Sequence, residues 1–253
     1  MSERDSPGAP SCARFRSCAS THAGAVRPRN EDKFVNRCDI GVWAVADGAG
    51  GHQAGEVASG KIAQLLEAIP SGLAAPQVLA EVRDRLGQAH AALREEAARR
   101  GPGAVVASTV VVLLARDAHF ACLWAGDSRA YLMRNGTLTQ VTRDHSLLQE
   151  LLDAGAITEA EAANHPRGNV ITRAVGADAE TLDLDKVTGA LRPGDRFLLC
   201  SDGLCKTLPE ADLGALLGAD GDVDWSERLV QAALEHQVGD NVTAVAVEVL
   251  GGH

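Results

Sequence analysis

Two rhythms of apolar positions divide the chain. From about Glu56, Ala58, Ile62, Leu65, Leu66 and Ile69 share one face of a helix. From roughly Pro76 to Arg99, Leu79, Val82, Leu86, Ala89 and Leu93 recur at steps of three and four, which predicts a second, longer helix beside the first. Elsewhere the apolar runs are short and rich in β-branched residues. Strands are predicted over Phe15 to Ser20, 41–46, Val105 to Ala115, Ala118 to Ala125, Ala130 to Arg134, Leu138 to Val141, Arg196 to Cys200 and Asn241 to Leu250. Asn135-Gly136 between two of these runs is a type I′ hairpin turn. Two further helices are expected near 209–217 and 224–237.

The remaining stretches are less regular. Residues 1–13 read as a disordered leader, and 143–180 as an inserted region with short helical pieces. Strands arrive in consecutive runs and helices in pairs, without the strict alternation of a parallel doubly wound sheet. The pattern points to an α+β layered architecture, antiparallel sheets inside and helices outside. No internal repeat, low-complexity tract or second-domain linker interrupts it, so 14–250 reads as a single domain.

Composition narrows the function. A formal net charge of −10 argues against a broad nucleic-acid surface. Met1 is followed by a polar stretch with no apolar core, and no apolar run reaches membrane-span length, so neither a secretory signal nor a membrane partner is expected. The six cysteines, Cys12, Cys18, Cys38, Cys122, Cys200 and Cys205, form no C-x-x-C pair and match no zinc spacing. They are expected to be reduced core residues of a cytoplasmic protein.

The chemistry lies in the carboxylates. Asp47, Asp127 and Asp202 each follow an apolar strand, and Asp240 immediately precedes one. Asn30-Glu31-Asp32 adds two more acids. An aspartate at a strand mouth is a short, fixed oxygen ligand, and several gathered from separate strands make an all-oxygen site for a hard divalent cation. Gathered without a cation they would repel one another. Arg27, four residues before Glu31, suits bidentate contact with a phosphate beside such a site.

In this arrangement the sequence resembles the metal-dependent protein phosphatase family, type 2C, in its compact bacterial form. The matching segments are Arg27 to Asp32, Val45 to His52, Ala107 to Thr109, Gly126 to Arg129, Thr142 to His145, Leu199 to Leu204 and Gly239 to Thr243, in the family's order over about residues 14–250. The resemblance implies a four-layer α-β-β-α sandwich, two antiparallel sheets flanked by helix pairs. It implies Mn²⁺ or Mg²⁺ as cofactor, two core ions and a third. Asp47 bridges the core ions, Asp202 and Asp240 complete the first, and the Gly48 carbonyl and Glu31 reach the second. By the same resemblance Asp32 is a supporting metal ligand or stands directly behind the ligands, Asp127 is the ligand of the third, weaker ion, and Arg27 holds the substrate phosphate. Residues 145–180 correspond to the flap beside the active site.

The activity implied is hydrolysis of phosphoserine and phosphothreonine by a metal-bridging water, with no covalent intermediate and no role for the cysteines. The partners implied are phosphorylated proteins, a cognate Ser/Thr kinase or its substrates, met by a monomer. One departure stands out. Many family members carry a histidine two residues after the bridging aspartate, and Ala49 stands there; His52, three residues on, does not inherit the role. A regulatory phosphoprotein-binding pseudophosphatase is the alternative, and the intact aspartates argue against it.

Overall fold

The computed structural model describes residues 11–12, 14–50, 53–162, 165, 167–168, 170–177, 179–221 and 223–251. Two sheets face each other. The first has the order β1 (Ser11–Cys12), β2 (Phe15–His22), β12 (Val242–Val249), β11 (Arg196–Cys200), β8 (Arg129–Arg134), β9 (Thr137–Gln140). The second runs β10 (Asp185–Ala190), β7 (His119–Ala125), β6 (Val110–Arg116), β4 (Val42–Ala49), β3 (Asp32–Arg37), and β5 (Ala107–Ser108) continues the β6 register along β4. All the pairings are antiparallel.

Three apolar layers hold this together. Phe15, Trp43, Val111, Leu113, Phe120, Phe197, Leu199 and Val245 fill the space between the sheets. There the rings of Phe15 and Trp43 meet edge to face at 5.3 Å and those of Phe120 and Phe197 at 4.9 Å. On the outer face of the second sheet lie α1 (Ala54–Glu67) and α2 (Ala75–Arg100). Ala58, Ile62 and Leu66 of α1 and Val82, Leu86, Ala89 and Leu93 of α2 are buried against Ala44, Val112 and Leu123. On the outer face of the first sheet, after the short α5 (Asp202–Cys205), come α6 (Glu210–Gly218) and α7 (Trp225–Glu235), with Leu213, Leu217, Trp225 and Leu229 packed on Leu198 and Ala244. The result is the α-β-β-α sandwich that the resemblance implied.

Most predicted elements lie within one or two residues of those observed. The β3 and β10 strands were not predicted. Residues 11 and 12 of the expected leader pair with β2, and the other leader positions up to 13 lie outside the described residues. In the 145–180 region, α3 (Leu147–Asp153) and α4 (Glu159–Ala162) are short. The Ser146–Ile171 bridge closes that region on itself, and the Ser108–Val175 bridge ties its later part to the body.

One expectation is corrected. Cys38 is disulfide-bonded, so the six cysteines are not all reduced. It is buried beside the Phe15 carbonyl, next to the hairpin that pairs residues 11 and 12 of the expected leader with β2. Cys18, Cys122, Cys200 and Cys205 carry free thiols.

Candidate metal centre

Antiparallel pairing puts the end of one strand beside the start of its neighbour, so acids at strand ends converge on one edge of the sandwich. Asp32 opens β3 and lies opposite Asp47 near the end of β4. Asp127 sits in the turn from β7 to β8, Asp202 at the turn from β11 into α5, and Asp240 just before β12. Together they frame an open cleft of about 630 Å³ whose walls include Arg27, Arg29, Glu31, Asp47, Gly48, Ala49, Ile171, Asp202 and Asp240. Ile171 comes from the 145–180 region, which therefore borders the cleft. Of the expected residues, Arg27, Glu31, Asp47, Gly48, Asp202 and Asp240 share the lining; Asp32 and Asp127 are buried behind it.

Backbone hydrogen bonds fix this rim. The Asp47 carbonyl accepts from the Thr109 N–H and the Ser108 hydroxyl, both at 2.9 Å, and the Thr109 hydroxyl is 2.7 Å from that of Ser128. The Gly48 N–H donates to the Glu31 carbonyl at 3.3 Å, and the Ser59 hydroxyl donates to the same oxygen. Asn241 stitches the Arg27–Glu31 loop to the start of β12: its Oδ1 accepts from the Glu31 N–H at 2.8 Å, and its Nδ2 donates to the Ala23 and Arg29 carbonyls at 3.0 and 2.8 Å. Asp32 Oδ2 accepts from the hydroxyls of Ser201 at 2.8 Å and Thr243 at 2.7 Å. Arg129 and Asp144 form a multiply bonded ion pair that joins the Gly126–Arg129 and Thr142–His145 segments.

Two of the acids lean on basic side chains. Arg27 Nη2 donates to Asp240 Oδ2 at 2.8 Å. Lys206 Nζ donates to Asp202 Oδ2 at 2.7 Å and to Asp127 Oδ2 at 3.0 Å. Sequence reasoning missed Lys206; its only local signal is the four-residue step from Asp202, one helical turn. With the carboxylates drawn to these cations, no three Asp, Glu, His or Cys side chains among the described residues form a ready-made cage.

The donor set nevertheless fits hard divalent ions. Burial, followed by repulsion from Asp32, Asp202 and Asp127, holds the Asp47 carboxyl well above the usual range. Burial also raises Asp32 to about 6 despite the Ser201 and Thr243 hydroxyls, with Asp202 and Asp240 adding repulsion. Asp127 is raised by burial and by Asp202, against the opposing Lys206. Asp32 Oδ1 and Asp127 Oδ1 are buried without a hydrogen-bond donor. Crowded, desolvated carboxylates with spare oxygens are what cations of high charge density neutralise.

Among the described residues no histidine lines the cleft. His145 is turned inward, its Nδ1 accepting from the Gly126 N–H at 3.2 Å. His52 lies outside the described residues.

Sheets packed face to face, helix pairs outside and a carboxylate-lined cleft with an arginine at its rim define a metal-dependent phosphatase. The chain belongs to the Protein phosphatase 2C family, whose signature it matches over residues 6–150. It is 32% identical to the serine/threonine phosphatase stp of Listeria welshimeri, over 93% of this chain and 95% of that protein. PppA, described as a key regulatory component of T6SS in Pseudomonas aeruginosa, superposes with a TM-score of 0.85 at 41% identity, covering 93% of this chain and 98% of PppA. The catalytic domain of the phosphatase PstP in complex with two manganese ions superposes with a TM-score of 0.78 at 32% identity, over 94% of this chain and 99% of that one.

Proposed function

We propose that this chain removes phosphate from phosphoserine and phosphothreonine in proteins, using two core divalent cations, Mn²⁺ or Mg²⁺. The observation that carries the reading is the meeting of Asp47, Asp202, Asp240, Glu31 and Gly48 in one cleft with Arg27 at its edge. Asp47, Asp202 and Asp240 are the residues to hold one ion, and Asp47, the Gly48 carbonyl and Glu31 the other. When bound, the ions supply Lewis-acid chemistry and offset the charge of the phosphate. Asp32 steadies the cluster from behind, its orientation set by Ser201 and Thr243. The third, weaker ion that the resemblance implies at Asp127 would have to displace Lys206 from that carboxylate.

Arg27 is exposed enough to leave Asp240 and take two phosphate oxygens once Asp240 is engaged by a cation. Ala49, exposed on the rim, offers no proton to the departing alkoxide, and no described imidazole lines the cleft to stand in for it. The protein partners are a phosphorylated Ser/Thr kinase or its substrates, met in the cytoplasm by a monomer without a nucleic-acid partner. A net charge of −10 supports the last point, and among the described residues no helix is long and apolar enough to cross a membrane. A binding-only role would not need every carboxylate of the cluster in place.

The test is turnover of a phosphothreonine peptide. Chelation should abolish it and Mn²⁺ restore it. Asp47→Asn and Asp240→Asn should each lower kcat by orders of magnitude, with the circular dichroism spectrum unchanged. Full turnover after exhaustive metal removal would refute the reading.

A further inference from the structure

Lys206 lies outside the family motifs, yet its ammonium holds two of the carboxylates that they bring together. It follows α5 directly, and its N–H donates to the Asp202 carbonyl at 2.8 Å, so the helical turn continues through it. That turn sets the side chain of Lys206 above the side chain of Asp202. The ammonium then spans to Asp127, 79 positions away in the chain, and donates to both carboxylates at 2.7 and 3.0 Å. Asp127 is 3% exposed and reaches no other donor among the described hydrogen bonds. A buried carboxylate needs a counter-charge, and here the chain supplies it from the side chain of Lys206.

A divalent ion seeking Asp127 and Asp202 would meet a tethered positive charge already between them. To enter, it must strip both carboxylates from the ammonium and then tolerate that ammonium close by. A tethered cation also acts at high effective concentration, since no dissociation removes it from the site. On Asp202, which the first core ion shares, Lys206 holds Oδ2 and leaves Oδ1 for that ion.

We propose that Lys206 is the resident cation of the Asp127–Asp202 position, so that this centre takes two divalent ions and excludes the third. The inference rests on the two-ion reading given above. Lys206 acts on ion number and not as a group that touches substrate.

The experiment is Mn²⁺ titration of the full chain, followed by isothermal calorimetry and by the electron paramagnetic resonance of free Mn²⁺. The wild type should bind two equivalents. Lys206→Asn and Lys206→Met should bind three, with anomalous density between Asp127 and Asp202 in Mn²⁺-soaked crystals. Lys206→Arg, which keeps the charge, should bind two. Three equivalents in the wild type would overturn the proposal whatever the variants do. Two equivalents in wild type, Lys206→Asn and Lys206→Met alike would overturn it while leaving the two-ion centre intact. No Mn²⁺ bound by the wild type would sink the underlying metal reading as well.

Discussion

Gly48 shows how closely the cleft is built at the level of single atoms. A Cβ placed there would lie 2.1 Å from the Gly55 carbonyl oxygen and 2.8 Å from that of Glu31. Both are backbone atoms of the cleft wall or of the helix behind it, so neither can swing aside. Gly48→Ala should therefore cost about 1–3 kcal/mol in urea unfolding, the usual range for overpacking. It should weaken Mn²⁺ binding too, because the strand end that carries Asp47 must shift. Gly60, inside α1 with nothing near its missing Cβ, is the control: Gly60→Ala should stabilise by up to about 1 kcal/mol. Equal behaviour of the two variants would show that close approach at Gly48 does not matter. This scale was only partly legible in the sequence. Asp-Gly at a strand end marks an abrupt turn, but it does not say which backbone crosses over the glycine. Lys206 was invisible for the same kind of reason, since the meeting of positions 127 and 206 belongs to no local pattern.

At the scale of elements, legibility followed burial. β11, β12 and the first five residues of β4 are almost wholly buried and give continuous apolar runs. β3 and β10 are the edges of the second sheet, and their sequences, Asp-Lys-Phe-Val-Asn-Arg and Asp-Lys-Val-Thr-Gly-Ala, carry the charges and glycine that edge strands use against unwanted pairing. The sequence of 143–180 shows only irregularity and short helical pieces, and no local pattern in it marks how the segment is anchored. Much of that anchorage is one residue of α2. His90, 3% exposed, accepts from the Gly176 N–H through Nδ1 and lies 3.0 Å from the Ala179 carbonyl through Nε2. His90→Leu fills similar space but orphans both backbone groups, which should cost roughly 2 kcal/mol or more. Hydrogen exchange should then quicken over 171–177, which includes the Ile171 wall of the cleft, while the α1 amides keep their protection. Unchanged exchange in that segment would mean that the bridge from Ser108 to Val175 alone holds it.

For the whole molecule, the metal role proposed for the carboxylate cluster would couple folding to protons and to cations. The layered fold needs its acids at one edge to work, yet without cations they oppose each other there. The carboxyls of Asp47 and Asp32 sit above their ordinary values, Asp32 at about 6, so the folded chain holds their protons more tightly than the unfolded one. Their contribution to stability is full below about pH 4 and is lost as pH rises through the folded values. For Asp32 alone the shift corresponds to on the order of 3 kcal/mol at neutral pH. The lowered carboxyls of Asp39, Asp153, Glu96 and Glu161 have the opposite sign but act at more acidic pH. Metal-free protein should therefore be less stable at about pH 7.5 than at about pH 5.5, and Asp32→Asn should narrow the gap. Added Mn²⁺ should reverse the trend. An ion at a hundredfold excess over its Kd stabilises by about 2.7 kcal/mol, and it gains less at acidic pH, where protons must first be displaced. The measurement is a set of urea midpoints at the two pH values, with chelator and with Mn²⁺, for wild type and Asp32→Asn. A metal increment that is equal at both pH values, together with a flat metal-free profile, would mean that the acids are not the shared site of proton and cation.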